Sequence, residues 1–221
     1  MISFCTWIHN RFHQFCRTLP INLAIADSEC EFCILDFGSS DCLPEWIGSI
    51  NDSRVRYMRV AFSRDDFHFA KLYNAAHRMG RGDILVTLDC DNVIGPQFCD
   101  AARQHATADS FMWAWDGDHH SGTCGRFAFD RKVFWLLGGY DEQLEPIGYQ
   151  DLDLGARARA AGFDRHWIKR PEVIGLALPN SRDDTCRPLG LRSYHVMNAT
   201  NYHRSQRNIA EGRLIANEER K

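Results

Sequence analysis

No apolar run in this 221-residue chain approaches the roughly 20 residues that a helix needs to cross a bilayer. No transmembrane segment is therefore expected. The opening "MISFCTWIHN" lacks a basic stretch followed by an apolar one, so no signal peptide is expected either. Basic charge is not in excess: 26 Lys and Arg face 29 Asp and Glu, for a formal net charge of −3. A nucleic-acid binder would show a basic stripe, and this chain argues against one. No glycine precedes Gly38, which excludes a glycine-rich phosphate loop behind the first strand. A second closely spaced cysteine pair to match Cys30 and Cys33 of "CEFC" is missing. Three residues apart on a strand, those two side chains face opposite ways, so they read as structural rather than as a zinc pair. The nine cysteines are an odd number in a chain without a secretion signal. That favours reduced thiols in the cytoplasm over a disulfide framework.

What is present suits one globular domain: 44% of residues are hydrophobic, enough for a sizeable core. Strand and helix signals alternate through the first two-thirds. "ISFCTWI", "FCILDF", "VRYMRVAF" and the continuous apolar "DILVTLDC" read as strands. Residues 11–26 read as a helix interrupted near Pro20. "HFAKLYNAAHRMG" reads as a helix closed by a left-handed Gly80. After a weak break near residue 107, "SFMWAWD" and "GRFAFD" read as strands. "KVFWLLGG" is a short helix closed by glycines, and "DLDLGARARAAG" is a helix ending at Gly162. "RHWIK" and "EVIGLAL" are further short strands, and residues 200–219 are an amphipathic terminal helix. The rhythm predicts an α/β fold with a Rossmann-like, mostly parallel central sheet and flanking helices.

Two aspartates, Asp89 and Asp91, stand at the end of the apolar run "VTLDCDN". On a strand, positions i and i+2 share a face, so the carboxylates converge where open α/β sheets bind ligands. Like charges that close repel unless a cation or strong donors compensate. A hard divalent ion, Mn²⁺ or Mg²⁺, answers that need; loop caps completed by Asn92 are the plain alternative. A second acidic pair, Asp151 and Asp153, opens the helix after "GYQ". The helix dipole favours ionised carboxylates there, as a general base or simply as helix-start electrostatics. "WDGDHH" reads as a solvated loop, and Trp113 and Trp115 read as core.

In order, these pieces resemble inverting glycosyltransferases of the nucleotide-diphospho-sugar (GT-A) fold. "DFGSSD" (36–41) is similar to the family-2 "DDGSxD". "FHFAKLYNAA" followed by "LDCDN" resembles the "FNRAKLLNVG…DVD" of β-1,4-galactosyltransferases. "GRFAFDRKVFWLLGGYDEQ…GYQDLDLGARARAAGF" resembles their "GGVSAMSRxxFxxxNGF…GxEDDDxxxR". "WIHNR" resembles their "FRNR". The resemblance implies a single GT-A domain over 1–221, with a nucleotide-sugar half (1–107) and an acceptor and catalytic half (108–221). It implies a nucleotide-sugar donor, a UDP-sugar, and a glycan, lipid-linked or other hydroxyl acceptor. Asp91, and less directly Asp89, would hold the metal on the diphosphate; the third ligand aligns with Asn180, with Asp183 or His195 as substitutes or water completing the shell. Asp36 would contact the base or ribose. Thr6, Asn10 and Arg11 would line the nucleotide pocket, supported by Lys71 and Asn74. Asp151 would be the catalytic base. The usual glutamate before that base is Gln150 here, and the usual pocket arginine is Phe69. Rival readings are a catalytically weak or dead sugar-nucleotide-binding module and a haloacid-dehalogenase-type phosphatase, whose nucleophile motif "DCDNV" resembles.

Overall fold

The computed structural model describes residues 1–180 and 190–218. Its centre is a seven-stranded sheet. Strand β1 (Ile2–Ile8) pairs in parallel with β2 (Cys30–Phe37) on one side and with β4 (Ile84–Thr87) on the other. Strand β3 (Val55–Val60) continues the parallel run beyond β2. Beyond β4 come β7 (Phe127–Asp130), antiparallel to its neighbours, then β6 (Ser110–Ala114) and β8 (Asp164–Ile168). The order is thus β3-β2-β1-β4-β7-β6-β8. The chain reverses its direction of growth between β1 and β4, and the loops leaving those strands splay apart there. That is the crevice in which open α/β sheets bind ligands.

β1 and β2 are buried along nearly their whole length, as strands covered by helices on both faces are. Helices α1 (Phe12–Ile25) and α4 (Phe98–His105) build one core with Phe4, Phe32 and Met112. Helices α3 (Phe69–Met79), α5 (Arg131–Leu136) and α6 (Gln150–Ala160) build the other with Phe111, Phe127 and Tyr140. Cys30 and Cys33 fall into different cores, as strand alternation requires. A short α2 (Leu43–Gly48) follows β2.

Several expectations are corrected. α1 runs unbroken through Pro20: the ring sits on the exposed face, and the bond it cannot donate is the one to the Cys16 carbonyl. Gly80 is not left-handed but extended (φ −62, ψ 140). It is glycine because a Cβ would stand 2.8 Å from Ser3 Cβ. The strand predicted over "DILVTLDC" stops at Thr87. "EVIGLAL" is not one strand but a helical turn α7 (Pro171–Ile174) and a two-residue β9 (Leu176–Ala177) paired with β5 (Asn92–Val93). Pro171 starts that turn, and Gly175, at φ 73 and pressed against Val93 O, ends it. The terminal helix α8 spans Tyr194–Ala210, beginning and ending earlier than predicted, with Gly212 (φ 72) just beyond it.

One buried chain of donors ties the two halves of the sheet to α3. His77 is neutral: burial pushes its imidazole down to about 4. Its Nδ1–H donates to Tyr73 O at 2.7 Å. Its Nε2 accepts from Thr87 Oγ1 at 3.1 Å, and that hydroxyl accepts from Tyr140 at 2.7 Å. Protonating Nε2 removes the acceptor. A folded pKa below the unfolded value of about 6.5 means the contribution is complete above 6.5 and lost as pH falls through about 4. Between pH 7 and 4 the wild type should therefore lose about 3 kcal/mol more stability than His77→Gln. Urea unfolding of both proteins at the two pH values measures this, and equal losses would contradict it.

Candidate active site

Three side chains of α1, four residues apart, build the floor of the crevice. Gln14, Thr18 and Asn22 form one buried polar stripe. Thr18 Oγ1 donates to Cys90 O at 2.6 Å. Asn22 Nδ2 donates to Asn92 O, and Asn22 Oδ1 accepts from Ile94 N, both at 2.9 Å. Gln14 Nε2 donates to Pro179 O at 2.8 Å, and Leu178 N donates to Asp91 O at 2.8 Å. From β1, Thr6 Oγ1 donates to Leu88 O at 2.6 Å. Asp89 and Asp91 are thus not strand residues. They sit in a turn closed by Asn92 N on Asp89 O at 3.0 Å, and side chains from α1 and β1 replace the ladder bonds that the segment gives up. The stripe was visible as three polar residues at helical spacing, yet periodicity alone does not say what they hold.

The two carboxylates meet as expected, through the turn rather than through strand alternation. Burial, then the Asp91 charge, pushes Asp89 up to about 7, against the donated Tyr73 hydroxyl on its Oδ1. Asp91 is buried and also raised, chiefly by desolvation. Asn92 Nδ2 at 2.6 Å and Asn180 Nδ2 at 2.9 Å donate to its two oxygens and oppose that rise. Arg126 is 1% exposed. Its Nε donates to Asn92 Oδ1 and its Nη2 to Leu176 O, both at 3.1 Å, while Nη1 is buried without a partner. Burial pulls its pKa down to about 10, with the charges of Asp89 and Asp91 working against that fall. Among the described residues no ion pair joins Arg126 to either aspartate. Arg126 and Tyr73 were missed in the sequence: an arginine beside a strand and a tyrosine within an amphipathic helix carry no distinctive spacing.

Asp151 joins this corner. A Cβ built on Gly125 would lie 3.2 Å from Asp151 Oδ2 and 3.8 Å from Asp89 Oδ2, so both carboxylates border the same bare stretch of backbone. Asp151 occupies the first turn of α6, entered through a left-handed Tyr149 (φ 67). Asp153 is different. It is fully buried and accepts from Arg157 Nε at 2.7 Å, and the arginine's other nitrogens donate to Leu137 O and Gly139 O. Of the two acidic residues in that turn, only Asp151 faces the crevice.

The remaining candidates are distributed as follows. Asp36 is fully buried; it accepts from Ser39 N at 2.7 Å and from the Tyr57 hydroxyl at 2.5 Å, with Arg59 Nε at 3.5 Å. Asn10 is left-handed (φ 52) and bridges to Ser39 and Ser40. Arg11 precedes α1, and its charge acts on Asp91. Lys71 is half-buried in the first turn of α3. Asn74 clamps the turn after α5, donating to Tyr140 O and accepting from Tyr140 N, both at 2.9 Å. Gln150 is buried and donates to Glu145 O at 3.0 Å. Asn180 reaches Asp91, so its amide oxygen is available to the same corner by rotation of the side chain. His195 is exposed on α8, with its ring against Tyr194. Among the described residues, no His, Cys, Asp or Glu joins Asp89 and Asp91 as a third ligand at metal spacing, which corrects the expectation for His195. Asp183 lies outside the described residues.

The donor set of Asp89 (half-buried), Asp91 (buried) and Asn180 (exposed) is all oxygen or amide, which fits a hard divalent cation.

No protein-family model matches the chain. The uncharacterized protein y4gI of Sinorhizobium fredii is 27% identical over 191 residues, covering 65% of this chain and 21% of that protein. Among solved structures, the mannosyltransferase of Pyrobaculum calidifontis in complex with GDP-Man and Mn²⁺ superposes with a TM-score of 0.69. It is 17% identical, covering 93% of this chain and 64% of that one. S. aureus TarS in complex with UDP gives a TM-score of 0.65 at 14% identity, covering 98% of this chain and 66% of that one. The chain has the GT-A fold. It spans about a fifth of the length of the curated relative and about two-thirds of these solved structures. In this GT-A sheet the "DCDNV" segment follows the fourth strand, which leaves the haloacid-dehalogenase reading without support.

The α1 stripe generates a stability prediction. Asn22→Leu leaves the Asn92 carbonyl and the Ile94 amide buried without partners, and should cost about 2–4 kcal/mol; Thr18→Val frees one carbonyl and should cost about 1–2. Urea denaturation reads both. Losses below about 0.5 kcal/mol at both positions would show that the stripe does not hold the acidic turn.

Proposed function

We propose that this GT-A chain is a metal-dependent, inverting glycosyltransferase of the family-2 type. It would move a sugar from a nucleotide-diphosphate donor, a UDP-sugar, to an acceptor hydroxyl. The observation that carries this reading is the meeting of Asp89 and Asp151 beside Gly125, with the Asp91 charge acting on Asp89, at the crevice between β1 and β4. The solved neighbours support it, since their complexes hold GDP-Man with Mn²⁺, UDP and UDP-GlcNAc. We assign one domain, with nucleotide binding in residues 1–107 and acceptor binding and catalysis in 108–221. No helix among the described residues is long and apolar enough to cross a membrane. The eight described cysteines are free thiols, which favours a reducing compartment such as the cytoplasm.

In this reading Asp91 and Asp89 would hold Mn²⁺ or Mg²⁺, with the Asn180 amide oxygen as a third donor. The ion, when bound, stabilises charge on the departing diphosphate as a Lewis acid. The chain's own residues do the rest. Tyr73 and Asn92 orient the two carboxylates. Arg11 brings positive charge toward Asp91 at the same rim. Asp36 and Asn10 shape the loop that receives base and ribose by ordering Ser39 and Ser40. Lys71 and Asn74 support that pocket from α3. Asp151, in the first turn of α6, would take the acceptor hydroxyl proton as that oxygen attacks the anomeric carbon. A single displacement inverts the carbon. Gly125 leaves room for the sugar beside both carboxylates.

Asp151→Asn should lower transfer by about 100-fold or more, the usual worth of a general base, while donor affinity changes little. Activity assays with calorimetric donor titration measure both, and near-normal transfer would remove Asp151 from the role. A chelator should stop turnover, with Mn²⁺ or Mg²⁺ restoring it. A thermal-shift screen of nucleotide sugars with and without Mn²⁺ finds the donor: at 100 times its dissociation constant a ligand stabilises by about 2.7 kcal/mol. No metal-dependent shift with any nucleotide sugar would contradict the proposal.

A further inference from the structure

At the opposite end of β2 from Asp36 lies a second group of ligand-bearing side chains. Cys30 opens β2, Cys99 lies in the first turn of α4, and Asp27 lies in the turn between α1 and β2. One ligand atom from each falls within 4.8 Å of the other two. The sulfurs of Cys30 and Cys99 are 3.7 Å apart, and Cys30 Sγ lies 3.4 Å from Asp27 Oδ1. A tetrahedral ion with metal–sulfur bonds of about 2.3 Å and a metal–oxygen bond of about 2.1 Å spans edges of about 3.8 Å between sulfurs and about 3.6 Å from sulfur to oxygen. The three side chains therefore mark one face of a coordination tetrahedron. The two thiols are buried, and Asp27 is exposed and opens the face to solvent.

The surroundings suit the charge. Arg103, one turn along α4 from Cys99, donates to Asp27 Oδ1 at 2.8 Å and stands 2.8 Å from Oδ2, with Asp100 at 3.6 Å and Glu29 at 4.0 Å sharing its charge. An outer partner of this kind fixes the orientation of a ligating carboxylate. A divalent ion offsets the two thiolates, and Arg103 pairs with the Asp27 carboxylate. Sulfur donors select a softer ion than the oxygen donors of the acidic crevice do.

We infer that Asp27, Cys30 and Cys99 form a second metal site, for Zn²⁺ or a similarly thiophilic divalent ion, which pins β2 to α4 at the end of the sheet away from the crevice. Binding releases two thiol protons to solvent. It forms two metal–sulfur bonds and one metal–oxygen bond, and a water completes the shell. The site stands independently of the proposed transfer reaction, and its test reads no activity.

The reduced, metal-free full chain is titrated with Co²⁺ while thiolate-to-cobalt charge transfer is followed by absorption. One equivalent should give that band together with the intense visible bands of a tetrahedral ion. Cys30→Ser and Cys99→Ser should each weaken binding by about 100-fold or more, and Asp27→Ala by about 10-fold, in the range by which altered metal surroundings change affinity. Cys90→Ser, beside the acidic pair, and Cys42→Ser, on the surface, should leave the band unchanged. Asp27→Ala alters an exposed side chain and keeps the test decisive if a thiol variant fails to fold. No charge-transfer band, or a band that survives Cys30→Ser and Asp27→Ala, would overturn the inference. So would a Cys30–Cys99 disulfide mapped in the protein as purified, which would make the pair a redox couple.

Discussion

Negative charge concentrated in a poorly solvated corner is the constraint on which the crevice depends. Asp89 and Asp91 are forced together by a turn and are raised by burial and, for Asp89, by the other's charge. Asp151 adds a third carboxylate across Gly125. A protein gains nothing in stability from such an arrangement. It persists because the backbone beneath is over-determined. Thr6 holds Leu88, Thr18 holds Cys90, and Asn22 holds both Asn92 and Ile94. The buried Arg126 moderates the field without closing the corner, since its bonds go to Asn92 and Leu176 rather than to the carboxylates.

The rest of the fold serves to aim these groups. The switch between β1 and β4 opens the crevice. The antiparallel β7 brings Gly125 and Arg126 alongside it from the later half of the sequence. α6 presents Asp151 at its first turn and turns Asp153 inward to Arg157, which in turn fixes the carbonyls after α5. Neighbouring acidic residues on one helix thus divide between chemistry and architecture. Burial decides which does which.

Much of this was legible in the sequence. Apolar runs without alternation located β1, β2 and β4, and acidic residues at their ends marked the crevice. What was lost follows from physics that local patterns do not carry. The end of β4 depends on side chains from α1 that are distant in sequence. The break at Gly175 is set by contact with Val93, and α1 ignores Pro20 because that face meets water. Asp36 read as a nucleotide contact; its carboxylate accepts from Ser39 N and the Tyr57 hydroxyl and pairs with Arg59, bonds that no local sequence pattern shows. Its influence on a ligand passes through the loop it orders. His195 carried the right chemistry but lies exposed on α8.

The central claim is that a hard cation completes the corner. It is tested most directly by crystals grown with Mn²⁺ and UDP and measured at the manganese absorption edge. The account requires an anomalous peak bonded to Asp91, at about 2.2 Å as for oxygen ligands to such ions, with diphosphate oxygens on its far side. A corner without that peak, or one closed by the Arg126 guanidinium paired to the aspartates, would contradict it.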